Sequence, residues 1–366
     1  MFPPVDLKQV ARHVGPTSNK TCGACHFNGG GSDGVKHGDL DSSLLTADKK
    51  LDVHMDTAGL KFRCVNCHTS TAHQIEGRFY SNPATTEFSS SMPYDKGSRI
   101  ACESCHSERP HKTNDKLNDH TDRVACETCH ISSVARVKPT LVWWDWSRAG
   151  EFTSDGKFIV QKDEMGNVSY HTKKGELGWA KNVVPEYLWF NGILTHVLSD
   201  DKIDDSHTLR MTQVHGSSDD PKAKIYPFKM FRGKQIYDVE NKTLLVPKLF
   251  GPKGSGAFWQ DFDWEKSAAM GQAAVKRQFS GTYGFIETEY LRPIAHMVTP
   301  KEDALSCAGC HSHNGRLEKL TGFYMPGRDA FAGLDRVGWL GCLALLGAVG
   351  VHGFIRVLTG GRREKK

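Results

Sequence analysis

Residues Cys102 to His130 read CESCHSERPHKTNDKLNDHTDRVACETCH, in which Cys-x-x-Cys-His occurs twice, at Cys102, Cys105 and His106 and at Cys126, Cys129 and His130. The pattern is the attachment signature of a c-type haem. Two thiols bond to the porphyrin's vinyl groups, and the adjacent imidazole is held under the iron as its proximal ligand. Outward from this stretch the pattern recurs at Cys22, Cys25 and His26, at Cys64, Cys67 and His68, and, after a long gap, at Cys307, Cys310 and His311. Ten of the eleven cysteines lie in these five motifs, which leaves Cys342 alone. Paired Cys-x-x-Cys units also build zinc ribbons, but zinc does not ask for a histidine after every second cysteine. Five haem c groups, each with its iron, are therefore expected.

Composition points the same way. Of 366 residues only 38% are hydrophobic and 10% aromatic, which is low for a large conventional core. Four motifs fall between Cys22 and His130, so porphyrins are expected to supply most of the buried apolar surface there. The expected fold is a multihaem cytochrome c, mainly short α-helices and loops wrapped around stacked haems, with a small mixed α/β cover segment. The expected divisions are a four-haem domain (1–135), a haem-free cover with some strands (136–300), a fifth haem site (301–330), a transmembrane helix (336–358) and a basic tail (359–366). Within the cover, the aromatic cluster Val142–Trp146 is followed by alternating segments at Lys157–Val160 and Val168–His171, and Trp264–Gln278 resembles a short helix. The 47 basic and 42 acidic side chains nearly balance at a net charge of +5, which suggests no nucleic-acid role.

From Val337 to Leu358 the chain is almost wholly apolar, long enough to cross a bilayer as one helix. The basic residues behind it, Arg362, Arg363, Lys365 and Lys366, are expected on the cytoplasmic side. That places the haem-bearing part in the periplasm, against the inner membrane. Gly338, Gly341, Gly347, Gly350 and Gly353 form small-residue faces suited to a partner membrane subunit. His352 is an ionisable residue near the cytoplasmic end of this helix. The opening MFPPVDLKQVARHVG has no apolar h-region, so an export signal is expected upstream of it.

A second axial ligand decides whether a haem only passes electrons or also binds substrate. The candidate distal histidines are His37, His54, His73, His111, His120 and His296, six for five irons. His171, His196, His207, His215 and His313 read as ordinary polar residues.

Longer segments resemble one family. CGACHFNGGGSDGVKHGDLDSSL, LDVHM, LNDHTDRVACETCHISSVAR, WWDWS, PEYLWFNG, YDVENKTLLVPKLFG, FSGTYGFIETE and HMVTPKEDALSCAGCHSHNGRL are similar to the octahaem tetrathionate reductase family of multihaem c-type cytochromes. The resemblance spans about residues 5–320, and the C-terminal helix looks like the anchor of some members. It implies a periplasmic haem chain, mostly bis-histidine ligated, feeding one catalytic haem with a lysine ligand. That lysine maps onto Lys36, which by itself reads as a surface residue. The family carries eight motifs, and those present here correspond to its last five, so the catalytic haem's own motif is expected upstream. Two functions follow. One is part of a reductase of a small sulfur or nitrogen oxyanion such as tetrathionate, nitrite or hydroxylamine, fed by a quinol-oxidising or cytochrome b-type membrane subunit. The other is a non-catalytic relay from the quinone pool.

Overall fold

The structure, a computed structural model, describes residues 6–12, 14–68, 70–71, 74–75 and 101–360. The chain divides into two compact units, Met1–Leu305 and Ser306–Lys366.

Each Cys-x-x-Cys-His motif sits on a short helix: α2 (Asn19–His26), α3 (Cys64–Cys67), α4 (Glu103–His106), α6 (Cys126–His130) and α9 (Cys307–Cys310); α1 (Leu7–Arg12) and α5 (Asp115–Asn118) carry none. One helical turn is what the spacing needs, because residues three apart share a face. The turns are started by local caps. The Ser18 side chain accepts from Thr21 N in α2, and the Ser306 side chain accepts from Gly309 N in α9. Four- and five-residue helices have little stability of their own, so what surrounds them must hold them.

In the first unit that support is a sheet. Its strands are β3 (Thr140–Asp145), β4 (Val160–Lys162), β5 (Val168–His171), β6 (Gly175–Ala180), β7 (Glu186–Phe190), β9 (Leu209–Arg210), β11 (Lys224–Asp238), β12 (Thr243–Leu244) and β13 (Tyr283–Pro293). Outside it lie two small pairs, β1 (Ser70–Thr71) with β2 (Gln74–Ile75), and β8 (Leu194–His196) with β10 (Thr212–Val214). Among the described residues the main sheet has nine strands, ordered β4-β5-β6-β3-β11-β13-β9, with β7 and β12 also paired to β11. The 15-residue β11 is its spine. It pairs antiparallel with β13 from Phe228↔Pro293 to Asp238↔Tyr283. Its first residues, Lys224–Pro227, pair with β7 instead. Pro227 has no N–H to give a ladder, and the change of partner falls directly after it.

This sheet is larger than the small mixed cover expected from sequence, and it makes the unit less helix-dominated than anticipated. β11 escaped the sequence reading because its burial does not alternate cleanly and Pro227 interrupts it. The helix expected over Trp264–Gln278 is α8 (Trp264–Ala274), preceded by the single turn α7 (Phe258–Asp261). Asp263 caps it through Lys266 N, and it stops early because Lys276 takes a left-handed φ of 58°. The segment Val160–Lys162 pairs with Val168–His171, a few residues later than the first alternating segment expected at Lys157–Val160.

The sheet docks the fourth motif. Ala125 N donates to Ile225 O (3.0 Å), Ile225 N to Arg123 O (2.7 Å) and Thr128 Oγ1 to Ile225 O (2.7 Å). Beneath it Ala125, Phe190, Leu194, Tyr226, Phe228 and Leu291 form one buried cluster. A separate cluster of Phe27, Leu44, Ala47, Leu51 and Met297 ties the loop after the first motif to the chain just before the second unit. The apolar core is thus several small clusters, each beside a motif or under the sheet.

In the second unit, the half-buried Arg328 guanidinium gathers the carbonyls of Leu317, Leu320 and Phe323 behind α9 and pairs with Asp329. The 29-residue helix α10 (Ala332–Gly360) follows. Its stretch Gly333–Thr359 is long and apolar enough to cross a membrane, and its large side chains, Trp339 and Leu346 among them, are exposed. The basic residues expected behind it, Arg362 to Lys366, lie outside the described residues.

Candidate metal centres

Among the described residues, three pairs of imidazoles face one another in the first unit. His54 stands opposite His106 at a ring-centroid distance of 6.0 Å, His68 opposite His296 at 6.1 Å, and His111 opposite His130 at 6.4 Å. Each pair joins the histidine of one motif to one of the candidate distal histidines. A metal–imidazole bond is about 2.0 Å, so an atom held between two ring nitrogens separates the centroids by about 6 Å. Among the described residues no group of three or more His, Cys, Asp or Glu is placed to hold a metal ion. Two donors are too few for a tetrahedral zinc site, but they are the number required by an iron whose other positions a porphyrin fills.

The motif cysteines are disposed to match. None of the eleven is in a disulfide. The first cysteines of consecutive motifs meet, Cys22 beside Cys64 and Cys102 beside Cys126. The four motifs of the first unit therefore come as two neighbouring couples. Second cysteines join the couples to each other, for Cys67 of the second motif lies near Cys105 of the third. Burial, and then Cys105 and Asp52, push the Cys67 thiol up. Cys25, Cys67 and Cys105 are exposed, open to a porphyrin edge, while Cys129 is half-buried on α6. The Cys129 carbonyl accepts from Leu305 N (2.8 Å), which fastens the fourth motif to the end of the first unit. In the second unit Cys307 is exposed and Cys310 half-buried. All ten expected thiols are thus on their motif turns, from Cys22 and Cys25 to Cys307 and Cys310.

The tautomer of a ligating histidine is set by what its other nitrogen does. His296 donates from Nδ1 to Asp39 Oδ2 (3.1 Å), and the same oxygen accepts from Ala295 N (2.9 Å) and His296 N (3.1 Å). His111 donates from Nδ1 to Asn118 Oδ1 (3.2 Å), whose amide is oriented by its own bond to His111 O (2.9 Å). His120 donates to Lys116 O (2.7 Å), and His311, in the second unit, to Pro326 O (2.9 Å). In all four Nδ1 is the engaged nitrogen, so Nε2 is the one that would bind a metal. His54 differs, because the closest Asp52 oxygen is 3.9 Å from its Nδ1, beyond hydrogen-bonding range.

The turns carrying His54 and His296 are joined by one buried carboxylate. Asp52 accepts from His54 N (2.9 Å) and Met55 N (3.0 Å) on Oδ1, and from Met297 N (2.9 Å) and Val298 N (3.2 Å) on Oδ2. Arg136 spans the same junction, donating to the carbonyls of Lys50, Leu51 and Met297.

Lys36 and His37 lie on a loop that returns to the first motif, closed by Lys36 N to Gly29 O (3.2 Å). Beneath it the buried Lys229 donates to Val35 O (3.0 Å), Lys36 O (3.3 Å) and Thr140 Oγ1. Three acceptors suit an ammonium, while burial, and then Arg292, push the Lys229 amine down to about 7, with Asp39 opposing. Burial, with the charge of Arg292, also lowers the Lys36 amine, and a less protonated amine is a better ligand. Burial pushes His37 down to about 4, against the pull of Asp39 and with help from Arg292, Lys36 and His296. Burial would raise the Asp39 carboxyl, but the bond and charge of His296, the charge of His37 and the Ala295 N–H overcome it and hold it well below the carboxylate range. Burial, with His111 and His106 nearby, pushes His130 below its usual value, towards the neutral form that binds metal.

His26 closes α2, and His73 lies outside the described residues. Sequence reasoning missed Asp39, Asp52 and Asn118, the residues that hold the candidate distal histidines. Asp52 carries a local signal, two positions before His54 as in an Asx-turn. Asp39 and His296 are 257 positions apart, with nothing in the sequence to join them.

The pattern of a family described as bacterial cytochrome c matches residues 141–314. Among solved structures the chain is similar to the octaheme cytochrome c from Shewanella oneidensis, at 41% identity and a TM-score of 0.73, over 85% of this chain and 67% of that one. No curated protein matches.

Proposed function

The chain belongs to the multihaem c-type cytochromes, and from that premise we propose that it carries electrons through five haem c groups as part of a reductase of a small sulfur or nitrogen oxyanion. The observation that carries the electron-transfer part of this reading is the set of imidazole pairs at 6.0, 6.1 and 6.4 Å, and its reductase part rests on Lys36. A haem bound at each pair supplies a one-electron Fe(III)/Fe(II) couple. The chain's residues do the rest. The paired cysteines would bond to each porphyrin's vinyl groups and the motif and candidate distal histidines would ligate its iron, while Asp39, Asn118 and backbone carbonyls engage Nδ1 of these imidazoles.

In this reading α10 anchors the protein to the inner membrane, with the haem-bearing part in the periplasm and the C-terminus in the cytoplasm. Its exposed glycines, with open space around each, suit close packing against a quinol-oxidising, cytochrome b-type subunit. Lys36 would ligate the catalytic haem, and burial together with Arg292 lowers its amine in the direction that favours ligation. The paired imidazoles also favour a second reading, since an iron with two of them has no open position and only relays electrons.

Assays of the assembled reductase that contains this chain, with reduced viologen and tetrathionate, nitrite or hydroxylamine, separate the two. Turnover of at least one oxyanion, lowered at least tenfold by Lys36→Ala, is the expected result. Absence of turnover in a protein whose haems are all low-spin would leave the relay and overturn the reductase reading.

A further inference from the structure

The distal histidines of two paired centres differ in the side chain that holds Nδ1. The distal histidine facing His130 is His111, and its Nδ1 bonds to a carboxamide, Asn118. The distal histidine facing His68 is His296, and its Nδ1 bonds to a carboxylate, Asp39. In each case the partner also accepts a backbone N–H of the histidine it holds, at 2.9 Å for His111 and 3.1 Å for His296. Asp39 is 3% exposed and Asn118 4%, so water screens neither bond. The chain thus contains the anionic and the neutral version of one positioning device, side chains of nearly equal size that differ in charge.

We infer that Asp39 and Asn118 are positioning residues that set a potential difference between the two centres, the haem at His68–His296 being held lower than the haem at His111–His130. The physical reason is charge. A carboxylate on Nδ1–H draws the proton and makes the imidazole a stronger donor. A stronger donor, and a buried negative charge nearby, favour the oxidised iron, whose charge is higher by one. A carboxamide orients the ring equally well but supplies neither effect. The inference rests on the haem reading proposed above. It adds a direction, in which electrons entering at His68–His296 fall towards His111–His130. The His54–His106 centre has a buried carboxylate, Asp52, 3.9 Å from His54 Nδ1 and not bonded to it, so it is expected between the two.

The test is a spectropotentiometric titration, monitored by EPR, of the full-length holoprotein and two reciprocal variants. Asp39→Asn keeps an oxygen for the three N–H donors and removes only the charge. It is expected to raise the midpoint of one low-spin haem by about tenfold in its oxidised-to-reduced ratio, 59 mV for one electron, leaving the others in place. Asn118→Asp is expected to lower the midpoint of a different haem by a similar factor. Low-spin signals retained in both variants show that ligation itself has survived. Midpoints that stay put, or that all shift together, in whichever variant loads its haems would overturn the inference. Should neither variant load, slow deuterium exchange of the His296 Nδ1 proton in the unmutated oxidised protein, followed by NMR, supports the buried bond, and exchange within the dead time contradicts it. Absence of haem from the unmutated protein would instead sink the haem reading itself.

Discussion

At the scale of single residues, the groups that matter most are those that hold histidines, because a ligand is useful only where its ring points. Asp52 is the clearest instance. Its two oxygens take four backbone N–H groups, two from the His54 turn and two from the His296 turn, while the side chain is buried. A buried N–H left without an acceptor costs about 1–3 kcal/mol, and water entering the gap recovers part of that. Asp52→Ala is therefore expected to destabilise the holoprotein by about 3–5 kcal/mol. Asp52→Asn, which keeps one acceptor oxygen, is expected to cost about half as much. Denaturant midpoints followed by haem absorbance check this. A shift under about 1 kcal/mol in Asp52→Ala would show that the clamp is not what holds the two turns together.

At the scale of elements, the helices and the sheet have different sources of order. The motif helices are single turns that borrow stability, whereas β11 and β13 share eleven paired positions and supply it. Helix α8 is set against the 246–248 segment by close backbone approach. A Cβ on Gly271 would lie 1.8 Å from Val246 O and 2.8 Å from Lys248 N, the segment that Ser267 binds from the same helix. Alanine would improve helix propensity by about 1 kcal/mol. The overlap costs about 3 kcal/mol or more, because backbone cannot step aside as a side chain can. Gly271→Ala is thus expected to be destabilising by about 2 kcal/mol net, with α8 lifted from that segment, measurable as faster amide exchange in Val246 and Lys248. A stabilised variant would contradict this packing. The helices were legible because the motif itself dictates a turn. The sheet was not, because β11 does not alternate cleanly and its proline reads as a break.

At the scale of the whole molecule, the chemistry was written locally and its assembly was not. Five motifs and the apolar span Val337–Leu358 can be read off consecutive residues. Which candidate distal histidine faces which motif cannot, since His68 meets His296, and His54 meets His106, across long stretches of chain. The approach of Cys67 to Cys105, and of Leu305 to Cys129, is likewise visible only in the folded chain. The same holds for Asp39 and Lys229, whose partners lie far away in sequence. The central claim is that these imidazole pairs hold the axial positions of haem iron. The most direct measurement is spin-quantified low-temperature EPR of the oxidised, full-length holoprotein, with haem and iron determined on the same sample. The account predicts five haem irons per chain, at least three of them low-spin with two imidazole ligands. Zinc in place of iron, or high-spin signals from the centres at His68, His106 and His130, would contradict it.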